Sequence, residues 1–177
     1  MNANYNKNRV DAPINSGGHV IIGDGNTISI VQQTETVIQL TFSAKNLIKN
    51  KAYSNAREIL NKLLSKIFDN GDLYYYLSLS IIAGRRPKTL GTTDVTEIIR
   101  NIDLAIAYDK SMSHYFYLKA IMLYDFYYLN GFSVDISKIN ELLTAAANGK
   151  LERSLIEEML NHIPGADKEI LDCIIFE

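Results

Sequence analysis

Two hydrophobic periods divide the chain. From about Thr36 apolar residues recur at helical spacing, whereas residues 17–32 alternate and are punctuated by glycine. In the first helical stretch Val37, Leu40, Phe42, Ala44, Leu47 and Ile48 make one broad apolar face, with Lys45, Lys49 and Lys51 at polar positions. A second helix is predicted from Ser54 to about Ile67, carrying Ala56, Ile59, Leu60, Leu63 and Leu64, with Gly71 as a left-handed stop. The third, Leu73 to about Ala83, is apolar almost all round, as a buried helix reads, and Gly84 and Pro87 end it. Asp94 with Glu97 reads as a capping box opening a fourth helix striped by Val95, Ile98, Ile99, Ile102, Ala105 and Ile106. A fifth is predicted to reach about Leu129, where Asn130-Gly131 stops it. Three more follow, at about Asp135–Ala147, Leu151–His162 and Asp167–Ile175.

The third and fifth helices echo each other. Tyr74-Tyr75-Tyr76-Leu77 and Tyr115-Phe116-Tyr117-Leu118 run in step 41 residues apart. Self-similarity at a period of about 20–50 residues is the mark of stacked helical hairpins. The expected class is therefore mainly α, with seven to eight helices in a helical-repeat domain over 35–177. Ahead of it, the polar, Asn-rich residues 1–16 are expected to be a disordered lead-in. Residues 17–34 read as a β-hairpin: His19–Ile22 and Thr27–Val31 flank Gly23-Asp24-Gly25-Asn26, with Val20 and Ile22 alternating on one strand and Ile28 and Ile30 on the other. A lone hairpin is marginally stable in water. Its edges and apolar side chains are expected to be completed by another copy, which makes it an assembly arm.

Tyr53, Ala56, Leu60, Leu63, Tyr74 and Leu77 follow the order and spacing of small and large packing residues in a tetratricopeptide repeat, and Thr36–Ile82 resembles that family. Phe68 stands where the family usually has proline, and Ser78 where it has glycine. The resemblance implies helix pairs stacked into a protein-binding groove. The glycine-rich segment joined to helical repeats also looks like accessory proteins of bacterial signalling and defence operons.

Composition narrows the choice little: 47% of residues are hydrophobic and 21% charged, as in ordinary globular chains. A formal net charge of -2 gives no electrostatic footing for nucleic acid. No apolar run approaches membrane-spanning length, and the N-terminus lacks a signal-peptide core. The single Cys173 excludes an internal disulfide and reads as a small apolar packing residue. A cytoplasmic protein is expected.

The chemistry on offer is binding chemistry. Arg85, Arg86 and Lys88 sit in the connection after the third helix, and Asp125 lies in the apolar run Ile121–Leu129. An unpaired carboxylate there is costly, so an ion pair between Arg86 (or Arg85) and Asp125 is expected to lock the connection down. The alternative is a site for a phosphorylated small molecule or nucleotide at Arg85, Arg86 and Lys88. Tyr76 and Tyr117 are the tyrosines expected to reach a partner in the groove. Gly17–Gly25 fails as a phosphate loop because its glycines open a strand pair rather than a helix. His19, His114 and His162 lack metal-ligand spacing, no nucleophile–base set assembles, and no cofactor is indicated. The expectation is a non-catalytic adaptor that binds a protein segment in its groove and forms a homo-oligomer through its arm.

Overall fold

The computed structural model describes residues 27–173, with side chains from residue 36. The chain divides into two compact units, 1–35 and 36–177. Of the first, only Thr27–Glu35 is described, and its backbone is helical. Among the described residues the fold is mainly α, with eight α-helices and no strand: α1 (Thr27–Lys49), α2 (Tyr53–Leu64), α3 (Gly71–Ile82), α4 (Thr92–Tyr108), α5 (Ser113–Ile121), α6 (Ile136–Ala147), α7 (Arg153–Asn161) and α8 (Lys168–Asp172). A 3₁₀ turn, Pro87–Thr89, precedes α4, and a wide π-helical segment, Met122–Tyr128, continues α5.

The N-terminal expectation needs correcting. Thr27–Val31, read as the second strand with Ile28 and Ile30 alternating, is the opening of α1. The preference of Thr, Ile and Val for strands reflects packing more than backbone. Here Gln32–Glu35 lead without a turn residue into the periodic stretch from Val37, so one helix carries through. The first expected strand, with Val20 and Ile22, and the lead-in 1–16 lie outside the described residues.

In the second unit α3 packs against α2 and α4, and α5 against α4 and α6. The core follows from the stripes. Ala56, Leu60 and Leu63 of α2, Val95, Ile98, Ile102 and Ala105 of α4, and Ala44 and Ile48 of α1 are buried. Nearly every residue of α3 is buried too, Tyr75 and Tyr76 among them. Phe42, grouped by sequence with the buried face of α1, instead points out.

Gly71 does not stop α2; it begins α3, where the Asn70 side chain caps the Leu73 N–H at 3.4 Å. A Cβ on Gly71 would lie 2.8 Å from the Ala105 carbonyl oxygen, so this glycine is there for close approach. The left-handed stop falls at the other end of α3, on Ala83 (φ 52°) and Gly84 (φ 70°).

The expected capping box also differs. α4 begins at Thr92 with Gly91 before it, so Asp94 already lies inside the helix and cannot cap it. Asp94 accepts from Arg85 at 2.9 Å, and Glu97 accepts from Arg57 at 2.9 and 3.0 Å. Both carboxylates link neighbouring elements.

The α4–α5 turn is clasped to the α6–α7 turn. The Ser113 N–H donates to the Lys150 carbonyl (3.3 Å), and its hydroxyl donates to the Ala146 carbonyl (2.6 Å). Only glycine suits position 149, since a Cβ there would meet Ser113 Oγ at 2.8 Å and the Ser111 carbonyl at 2.9 Å.

Candidate functional site

Asp125 is the best-connected polar group of the chain's centre. The π-helical segment turns its carboxylate, fully buried, toward the α3–α4 connection. Arg86 donates to it through Nε (3.1 and 3.3 Å) and Nη2 (2.8 Å). The backbone N–H groups of Lys88 (3.0 Å) and Asp167 (3.3 Å) donate as well. The carboxylate thus accepts from three residues in two connections, Arg86 and Lys88 between α3 and α4 and Asp167 before α8, which is how a buried charge becomes tolerable. Arg86 is half-buried, and the Asp125 hydrogen bonds raise its pKa above the ordinary arginine value. Asp167 adds a longer contact to Arg86 at 3.8 Å. Nearby, Asn130 Nδ2 donates to the Lys88 carbonyl (3.1 Å), and the Tyr124 hydroxyl donates to Glu169.

The three cations of the basic connection do not converge on one open site. Arg85 donates to the Ile82 (3.1 Å) and Ile81 (2.8 Å) carbonyls at the end of α3 and to Asp94. Arg86 is held by Asp125. Lys88 contributes its backbone to the Asp125 cluster while its side chain is exposed.

The tyrosines expected in a groove are core residues. Tyr76 is 3% exposed and Tyr117 1%, so neither is open to a partner. Helices α3 and α5 each have neighbours on two sides, and a central helix has no open face for its aromatics. Tyr76 carries the Lys45 ammonium over its ring, 4.7 Å from the centroid, and burial drives its hydroxyl pKa up.

A second polar cluster, which sequence reasoning missed, surrounds Asp72. Its carboxylate accepts from Lys45 Nζ (3.0 Å) and from the Tyr115 hydroxyl (2.7 Å), joining α1, α3 and α5. Burial pushes the Asp72 pKa up, but the Tyr115 hydrogen bond and the Lys45 charge together hold it below the usual carboxylate range. Behind it, Tyr75 meets Tyr76, His114 and Tyr115 with centroids 5.2, 4.6 and 5.3 Å away. Both His114 nitrogens and the Tyr75 hydroxyl are buried without a hydrogen-bond partner. Burial lowers the His114 pKa to about 4, so the ring is neutral at pH 7. The available signal was positional: Asp72 and His114 each stand at the head of one aromatic segment. His162 is also buried, and the Tyr53 hydroxyl lies 2.9 Å from its Nδ1. Cys173, expected to pack, is exposed.

The surface carries apolar side chains in several places. Ile38 (62% exposed) and Phe42 (67%) stand one turn apart on α1, and Phe68 (68%) follows α2. Around the α5–α6 turn Tyr128, Phe132 and Ile136 are exposed, and Phe132 stacks on Phe126 at 5.5 Å with Tyr127 edge-on at 6.3 Å. Among the described residues no three His, Cys, Asp or Glu side chains gather as metal ligands, and no helix is long and apolar enough to cross a membrane.

These features define a class no finer than a mostly helical fold. No protein-family model matches the chain, and neither a curated protein nor a solved structure shows significant similarity to it.

Proposed function

We propose that the protein is a non-catalytic adaptor, tetratricopeptide-like in its helix pairing, that binds a protein segment and self-associates. The observation that carries the binding half is the exposed apolar turn between α5 and α6. Phe132 is set against Phe126 and Tyr127, so it is a fixed aromatic ring with one face in water, flanked in sequence by Tyr128 and Ile136. Rigid aromatics offered to solvent are the usual anchors of protein interfaces, and contiguous exposed apolar patches mark interaction sites. The tetratricopeptide-like reading draws support from Ala56, Leu60, Leu63 and Leu77, all buried at the positions where such repeats pack their helices. The partner segment then lies against this turn, since the buried tyrosines offer it no groove.

A photo-crosslinking amino acid at position 132, introduced in the cells that natively make the protein, tests this. It should give a discrete protein adduct that the exposed position 66 does not give. Identical adduct patterns from positions 132 and 66 refute it.

A further inference from the structure

The turn between α5 and α6 holds fixed aromatic rings, and one charge beside them is unpaired. Gly131, in the left-handed region at φ 75°, lets the chain fold back so that the Phe132 N–H donates to the Tyr127 carbonyl at 2.9 Å. Phe132 then stacks on Phe126, and Tyr128 packs on Tyr124 at 5.0 Å, so both half-exposed rings are held in place before anything binds them. Lys88 stands beside this turn. Its carbonyl accepts from Asn130 Nδ2 at 3.1 Å and its N–H donates to Asp125 at 3.0 Å, which pins its backbone on both sides. Its side chain is exposed, and its ammonium has no ion-pair partner among the described residues.

The carboxylates of the neighbouring elements are engaged already. Asp125 is held by Arg86 at 2.8 Å, and Asp135 accepts from the Ser137 N–H (2.9 Å) and hydroxyl (2.7 Å). Glu169 accepts from Tyr124, and Asp167 accepts from the Glu169 N–H at 2.9 Å. We infer that the partner segment of this turn is an acidic peptide, with an apolar side chain on the open face of Phe132 and an adjacent Asp or Glu paired with Lys88. The inference rests on the binding half of the reading above and adds the partner's chemistry to it. In such an interface the buried ring carries the affinity, and the charge fixes register and rejects basic segments. A nucleic acid fits less well. One free lysine neutralises little of a phosphate backbone, and Asp135, at the start of α6, would face those phosphates.

Selection of a displayed library of random short peptides on the full chain, in low salt and with Phe132→Ser as the counter-target, tests this. Peptides that bind the protein but not Phe132→Ser should carry Asp or Glu within a few residues of an aromatic or aliphatic one. Lys88→Gln keeps both backbone hydrogen bonds and should weaken those peptides about two- to fivefold, the worth of one exposed ion pair. That difference should vanish in about 1 M salt. Circular dichroism checks that both variants fold. Phe132-dependent peptides without acidic enrichment, or acidic ones indifferent to Lys88→Gln, overturn the inference and leave the turn standing as a binding site. No Phe132-dependent peptide at all overturns both. Oligothymidine captured by the protein but not by Phe132→Ser overturns the inference in favour of a nucleic acid. A sedimenting mass that rises with concentration only while Phe132 is present overturns it in favour of a second copy.

Discussion

Removing the Asp125 carboxylate should cost more than any other single truncation at the polar centre. Asp125→Ala leaves the Lys88 and Asp167 backbone N–H groups without an acceptor and strips Arg86 of its closest anion. Breaking one side of a buried pair costs about 3–5 kcal/mol when the surviving charge stays buried. Here the Arg86 side chain is 35% exposed and regains water, which places the loss at the lower end, about 3 kcal/mol. For a chain of this size each kcal/mol moves Tm by about 2–4 °C, so the melting point should fall by roughly 6–12 °C. Scanning calorimetry reads the shift, and urea titration at 25 °C reads the free energy. Replacing both partners, as Arg86→Met with Asp125→Leu, should recover much of the loss, since no orphaned charge then remains. A fall in Tm below about 2 °C for Asp125→Ala would refute the view that this carboxylate joins the two connections.

Acid should weaken the fold through His114. Its folded pKa of about 4 lies below the value of 6.5 for a free ring, so the unfolded chain takes up the proton first as pH falls. The stabilisation is complete above about pH 6.5 and disappears progressively toward pH 4. Between pH 7 and 5 the native protein should therefore lose about 2 kcal/mol more than His114→Phe, measured by urea denaturation at each pH. Equal losses in the two proteins would show that this ring does not control the acid limb. Ala83, held at φ 52°, pays for its left-handed conformation, so Ala83→Gly should raise stability by about 0.5–1 kcal/mol. Thermal denaturation reads this, and an unchanged or lower Tm would count against strain at that stop.

The helical body is legible wherever one face is apolar and the other polar. The stripes of Ala56, Leu60 and Leu63 and of Val95, Ile98 and Ile102 read correctly because burial on one side imposes a 3.6-residue period. The stretch Thr27–Val31 misled because β-branched residues fit either a strand or a helix, and no local signal says which way the chain continues. Tyr76 and Tyr117 misled for another reason. Composition announces that tyrosine is abundant but not which neighbours will enclose α3 and α5. Asp125 stands out in sequence as a carboxylate among apolar residues. The backbone donors from Lys88 and Asp167 that join Arg86 around it are invisible there, because they depend on how distant turns meet. Ile38 and Phe42 were obscured by the stronger stripe beside them.

The wide turn over Met122–Tyr128 holds one more residue than an ordinary helix would need for the same advance. Deleting a single residue from it would let the segment tighten to 3.6 residues per turn with the same advance, so the side chains inside the turn would be re-aimed while the chain on either side kept its direction. Asp125 and Phe126 lie inside that turn, so the carboxylate would lose its aim at Arg86 and Phe126 would shift from under Phe132. Chain length in this segment is thus fixed more strictly than residue type, and an alanine insertion or deletion here should do harm that no conservative side-chain exchange nearby can match.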